Sequence, residues 1–137
     1  MFISVIIPTY NRRLILEKCL KSLENQNINN EIKGYEVLVV DDGSIDGTQA
    51  WLKAQHNQFP HVRLIEQEHG GPAVARNKGV SDSIGDLIVF IDSDLIVNDS
   101  FLNAHVKSLK KCWKKRKDRF CFTYGAVINT NNFENPT

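Results

Sequence analysis

LIVFIDSD, residues 87–94, sets five uninterrupted apolar side chains directly against two carboxylates. A strand with one wet face alternates apolar and polar residues; LIVFI does not, so both of its faces are covered. Outward from it the pattern repeats. Ile3 to Ile7 is a short apolar run ending at Pro8, Glu36 to Val40 a second closed by Asp41-Asp42-Gly43, and Val62 to Ile65 a third. Helical stretches lie between them. Leu16, Cys19, Leu20 and Leu23 recur at i, i+3, i+4 and i+7, one buried stripe. Thr48 to about Gln55 reads as a helix with Asp46 or Thr48 as N-cap, and Pro72 to about Ser81 as one with proline in its first turn. Leu102, Val106, Leu109 and Trp113 mark a further amphipathic helix, and Phe120 to Ile128 is expected to return to strand. Buried strands alternating with helices predict an α/β fold, a mostly parallel Rossmann-like sheet with helices on both faces. One domain over residues 1–128 and a loose polar tail over 129–137 are expected.

Such sheets bind ligands beyond the carboxyl ends of their strands, and those ends are polar here. They read Pro8-Thr9-Tyr10-Asn11-Arg12, Asp41-Asp42-Gly43-Ser44 and Asp92-Ser93-Asp94, with Gly70-Gly71-Pro72 through Arg76 opening a helix. In an extended chain Asp92 and Asp94 share a side, where their charges repel unless a cation lies between them. Hard carboxylate oxygens suit Mg²⁺ or Mn²⁺, which accept one or two of them plus phosphate oxygens. Asp42 either shapes a turn or accepts a hydrogen bond from a nucleobase N–H. The glycines and Arg76 present N–H groups and a guanidinium to a diphosphate, or else Arg76 is a surface ion-pairing residue. A calcium-loop reading of Asp42 to Gly47 fails, because the bidentate glutamate it needs falls on Lys53.

Composition narrows the partners. The chain has 137 residues, 42% apolar and 24% charged, with a net charge of +1, the profile of an ordinary globular domain. The balance hides Lys110–Arg119, KKCWKKRKDR, with seven basic residues and one acid; without it 10 basic and 15 acidic residues remain. That run is a solvated helix end or a patch for anionic lipid head groups or a phosphate-bearing acceptor, giving peripheral membrane contact. Nucleic acid is set aside because no aromatic stacking platform accompanies it. Cys19, Cys112 and Cys121 are odd in number and lack CxxC spacing, so free thiols and a cytoplasmic location are expected. No segment reaches the roughly 18 apolar residues of a membrane span.

SVIIPTYNR at 4–12, VLVVDDGSIDGT at 37–48, GGPAVARNKGV at 70–80 and LIVFIDSD at 87–94 together resemble the family 2 glycosyltransferases of the GT-A fold. The resemblance implies a nucleoside-diphosphate sugar, with uracil the usual base, and a divalent metal. It implies that Pro8 and Tyr10 flank the base with Thr9 nearby, that Asp42 accepts the base N–H, and that Asp41 shapes the turn. Arg76 would approach the diphosphate or sugar, Asp92 and Ser93 the ribose and sugar, and Asp94, with Asp92, would hold the metal. Transfer to an acceptor hydroxyl would invert the anomeric centre.

The general base of that family lies beyond the DxD strand, in an acceptor half. After Phe120 this chain has only Glu134, outside any such context, so no catalytic residue is assigned and a chain truncated before the acceptor half is expected. The alternative is a non-catalytic nucleotide-sugar-binding remnant or regulatory module. A haloacid-dehalogenase type of phosphotransferase would carry its DxD after the first strand rather than the fourth. A nicotinamide domain would need glycines where PTYNRR stands.

Overall fold

A computed structural model describes residues 1–117 and 120–127. Its elements are β1 (Phe2–Thr9), α1 (Arg13–Glu24), β2 (Gly34–Asp41), α2 (Thr48–Ala54), β3 (Val62–Glu66), α3 (Pro72–Asp82), β4 (Leu87–Phe90) and α4 (Phe101–Arg116). The four strands form one sheet in the order β3-β2-β1-β4, every pair parallel. This is the expected α/β architecture, and the uninterrupted apolar runs are its cause.

Parallel register puts paired residues on one face. Ile3, Val5, Ile7, Val37, Val39 and Val89 pack with α1, α2 and α4, while Ile6, Leu38, Val40 and Ile65 pack with Ala75 of α3. The α1 stripe of Leu16, Cys19, Leu20 and Leu23 is wholly buried. Helix α3 lies so close to the sheet that a Cβ on Gly79 would come within 2.5 Å of Ile6 Cγ2. Glycine there is a packing requirement.

Pro8 lies inside β1 rather than ending it. Ile6 accepts from the Ile91 N–H on the β4 side and Thr9 from the Asp42 N–H on the β2 side, so Pro8 faces the β4 side. There β4 has already ended opposite Ile6, and the missing N–H has no ladder partner to lose. The α2 cap also differs from expectation: Gly47, at φ 84°, occupies the cap position. Asp46 serves from one residue earlier, accepting the Thr48 N–H at 3.1 Å.

Two expectations are corrected beyond α4. Residues 120–127 form no strand; Ile128, the tail 129–137 and Glu134 lie outside the described residues. Cys112 and Cys121 are not free thiols but a disulfide, leaving Cys19 free and buried. The reason is the left-handed cap at Lys117, φ 62°, which ends α4 and lets the chain fold back along it. No described helix is long and apolar enough to cross a membrane.

Candidate functional site

The chain steps from β1 to β2 to β3 and then returns to place β4 on the other side of β1. Ligands of such sheets bind at a reversal of this kind. Around it stand the loops after β1, β2 and β4 and the entry to α3.

The first two loops are laced together. The Asn11 N–H donates to Ser44 Oγ at 2.8 Å, the Ile45 N–H to Asn11 Oδ1 at 2.7 Å, and the Arg13 N–H to Asp46 at 3.1 Å. Asn11 takes φ 51° to do this, a conformation asparagine tolerates. Asp41 shapes the turn, its Oδ1 accepting from the Ser44 N–H and Gln49, both at 2.8 Å. Among the described residues its Oδ2 is buried without a hydrogen bond, and so is Oγ1 of Thr9, its register partner on β1.

Asp42 is 3% exposed, and its two oxygens accept three hydrogen bonds and face the His69 ring. Oδ1 accepts from Gln67 at 2.7 Å and the Gly70 N–H at 2.8 Å; Oδ2 meets the Gly71 N–H and His69 Nδ1, both at 2.9 Å. Burial alone would raise this carboxyl, but the hydrogen bonds from Gly70, Gln67 and Gly71, helped by the nearby His69, outweigh it and hold the pKa below the usual carboxylate value. Asp42 thus fixes the 67–71 loop, which in turn lays the His69 ring on Tyr10 at 4.3 Å between centroids. Tyr10 is exposed at the rim.

The DxD carboxylates each meet an arginine. Asp92 Oδ1 lies 2.8 Å from Arg76 and Asp94 Oδ2 lies 3.1 Å from Arg12. The second pair bridges the loops after β1 and β4 at the reversal itself. Beneath them sits Cys19, whose thiol is pushed up to about 12 by burial and by the charges of Asp94 and Asp92. Ser93, between the two, is buried. Among the described residues no three His, Cys, Asp or Glu side chains cluster as a metal cage. Two partly exposed carboxylates, each with one oxygen on an arginine, still suit a cation that takes its other ligands from phosphate and water.

All the sequence-predicted site residues therefore stand on one edge of the sheet. Sequence reasoning overlooked Arg12 and His69. Arg12 lay within the PTYNR stretch and His69 beside the paired glycines, so their position after a strand was the available signal.

The sequence pattern of "Glycosyl transferase family 2" matches residues 4–121. The "Glycosyltransferase AglE" of Haloferax volcanii is 37% identical over 109 residues, 79% of this chain and 35% of that protein. The solved structure of S. aureus TarS 1-349 in complex with UDP-GlcNAc superimposes with a TM-score of 0.69 at 31% identity, covering 81% of this chain and 32% of that one. Mannosyltransferase PcManGT from Pyrobaculum calidifontis, in complex with GDP-Man and Mn²⁺, gives 0.70 at 32% identity, covering 78% and 32%. The chain spans about a third of the length of these relatives. With its family pattern running from β1 past α4 on the GT-A sheet of these enzymes, the chain belongs to glycosyl transferase family 2.

Proposed function

We propose that the chain is the donor-binding part of a metal-dependent inverting glycosyltransferase, taking a UDP-sugar and serving transfer to an acceptor hydroxyl. The observation that carries this reading is the convergence of Tyr10, Asp42, Arg76, Asp92 and Asp94 on one rim, with arginines already facing both DxD carboxylates.

The base would lie against Tyr10 and beside Pro8 and Thr9, whose Oγ1 lacks a bond among the described residues. Its N–H would reach Asp42 by displacing Gln67 or His69, since those side chains swing away while the Gly70 and Gly71 N–H groups cannot. The stacked His69 ring must leave Tyr10 or slide along it to admit the base. Asp94, with Asp92, would hold Mn²⁺ or Mg²⁺, which supplies Lewis-acid neutralisation of the departing diphosphate. Arg12 and Arg76 would then pass from carboxylate to phosphate oxygens, exchanging one charge-assisted partner for another. Ser93 and Asp92 would border the ribose and sugar.

A second reading, a nucleotide-sugar-binding module without turnover, is favoured by the occupation of the rim carboxylates. Asp42 accepts three hydrogen bonds, Asp41 is held in its turn, and Asp92 and Asp94 face arginines, so none of them is poised to deprotonate an acceptor.

Calorimetry of the chain with UDP, with and without Mn²⁺, tests the proposal. Binding that requires Mn²⁺ and is lost in Asp94→Ala is the expected outcome; equal affinity in the variant defeats it. Turnover of a UDP-sugar by the same preparation separates enzyme from module.

A further inference from the structure

Helix α4 is two-sided. Leu102, Val106 and Leu109 face the core, 4% exposed at most. Helical periodicity puts Lys107, Lys111, Lys114 and Lys115 on the opposite side, all exposed, within an arc of about 100°. Within the basic run Lys110 joins Glu31, but those four lysines join no ion pair among the described residues. Residues 120–127 run back along the flank of this lysine face. They are tied there by the Cys112–Cys121 disulfide and by a hydrogen bond of 2.6 Å between His105 Nδ1 and Thr123 Oγ1. With Cys121 and Thr123 turned to the helix, the alternating residues point out, and Phe122 and Tyr124 are 86% and 88% exposed. Exposed aromatic rings thus stand beside the basic run, whose own Trp113 is partly buried.

We propose that this side of the molecule docks on the surface of an anionic lipid bilayer. The lysines would sit among lipid phosphates while Phe122 and Tyr124 enter the headgroup–acyl boundary, Tyr with its hydroxyl in water. Charge complementarity selects this occupant, for the lysine face presents four exposed cations while the sequence outside Lys110–Arg119 is net acidic. A single-stranded nucleic acid would use the same cations, but the exposed strip continues into aliphatic Val127, which offers a base no stacking plane and suits hydrocarbon. The inference is independent of the nucleotide-sugar site, which lies on the strand-end rim.

Co-sedimentation with vesicles of phosphatidylcholine, with or without a third of phosphatidylglycerol, tests it without any nucleotide present. Binding to the anionic vesicles alone, weakening with salt, is expected. Each lysine near an anionic leaflet contributes about fivefold in partition, so combined Lys107→Gln, Lys111→Gln, Lys114→Gln and Lys115→Gln should cost well over tenfold. Combined Phe122→Ser and Tyr124→Ser should weaken binding and leave its salt dependence. All six side chains are exposed, and circular dichroism is to check that the variants keep their helices. Absence of binding to anionic vesicles overturns the proposal, as does unchanged binding in either variant. Binding to a single-stranded oligonucleotide that outcompetes the vesicles would replace lipid with nucleic acid.

Discussion

Replacing Asp42 by asparagine changes one atom and disturbs four contacts. The carboxylate accepts two backbone N–H groups and the Gln67 amide and lies 2.9 Å from His69 Nδ1; an amide keeps one acceptor oxygen and points an NH₂ at donors on the other side. One of the two glycine N–H groups then faces another donor at 3% residue exposure. Hydrogen bonds to a charged group contribute roughly 1.5–3 kcal/mol each, and an orphaned buried donor costs about 1–3 kcal/mol. Allowing for relaxation of the loop, the loss should be about 2–4 kcal/mol, a large part of a small domain's stability of roughly 5–15 kcal/mol. The sign of the pH dependence follows from the lowered carboxyl. The unfolded chain binds this proton more readily than the folded one, so the contribution is present above the unfolded value near 3.9 and is lost as pH falls toward the folded value. Urea unfolding of parent and variant from neutral pH to pH 3 measures this. The gap should be widest at neutral pH and narrow below about pH 4, where the unfolded parent takes up a proton that its folded carboxylate still resists. Glu36 and Asp46, also held below the ordinary range once hydrogen bonds outweigh their burial, act in both proteins and cancel in the comparison. A variant within about 0.5 kcal/mol of the parent at neutral pH, the size of an ordinary surface change, or a gap that ignores pH, refutes the reasoning.

Other outcomes follow from the packing. Gly79→Ala puts a methyl 2.5 Å from Ile6 Cγ2 and 3.2 Å from Val40 Cγ2; it should destabilise by about 1–3 kcal/mol, read as a lower urea midpoint, and an unchanged midpoint means that α3 does not press on the sheet. Cys19 should resist a thiol reagent at pH 8 in the folded chain, because burial and then Asp94 and Asp92 push its pKa up to about 12. With Cys112 and Cys121 paired, the native unreduced protein should show no fast-reacting thiol, and reduction should expose two. Rapid labelling before reduction contradicts the pairing.

The fold was legible because burial on both faces leaves no polar residue in VLVV, and because the α1 stripe repeats at helical spacing; LIVFI is as apolar, yet it forms the edge strand β4, whose Phe90 is 49% exposed, so the expected cover on both of its faces is not met. Rim residues were legible for the complementary reason: Asp42, Asp92 and Asp94 follow apolar strands and have nothing apolar to do there. Partnerships were not legible. That Asp42 binds the 67–71 loop depends on how the β2 and β3 ends come together, and the arginines facing Asp92 and Asp94 come from residues far away in sequence. The disulfide escaped because cysteine spacing says nothing about the left-handed cap at Lys117 that folds Cys121 back onto α4. Residues 120–127 have the composition of a strand, yet a strand exists only with a neighbour to bond; here the segment lies against a helix flank, which supplies no ladder.

The most direct measurement is the position of Mn²⁺ by anomalous scattering in a crystal of this chain grown with UDP. The expected result is one strong peak in contact with Asp94 and the diphosphate, with Arg12 or Arg76 drawn off its carboxylate toward phosphate. A peak remote from the DxD residues, or UDP bound away from Tyr10 and Asp42, would contradict the assignment of the rim.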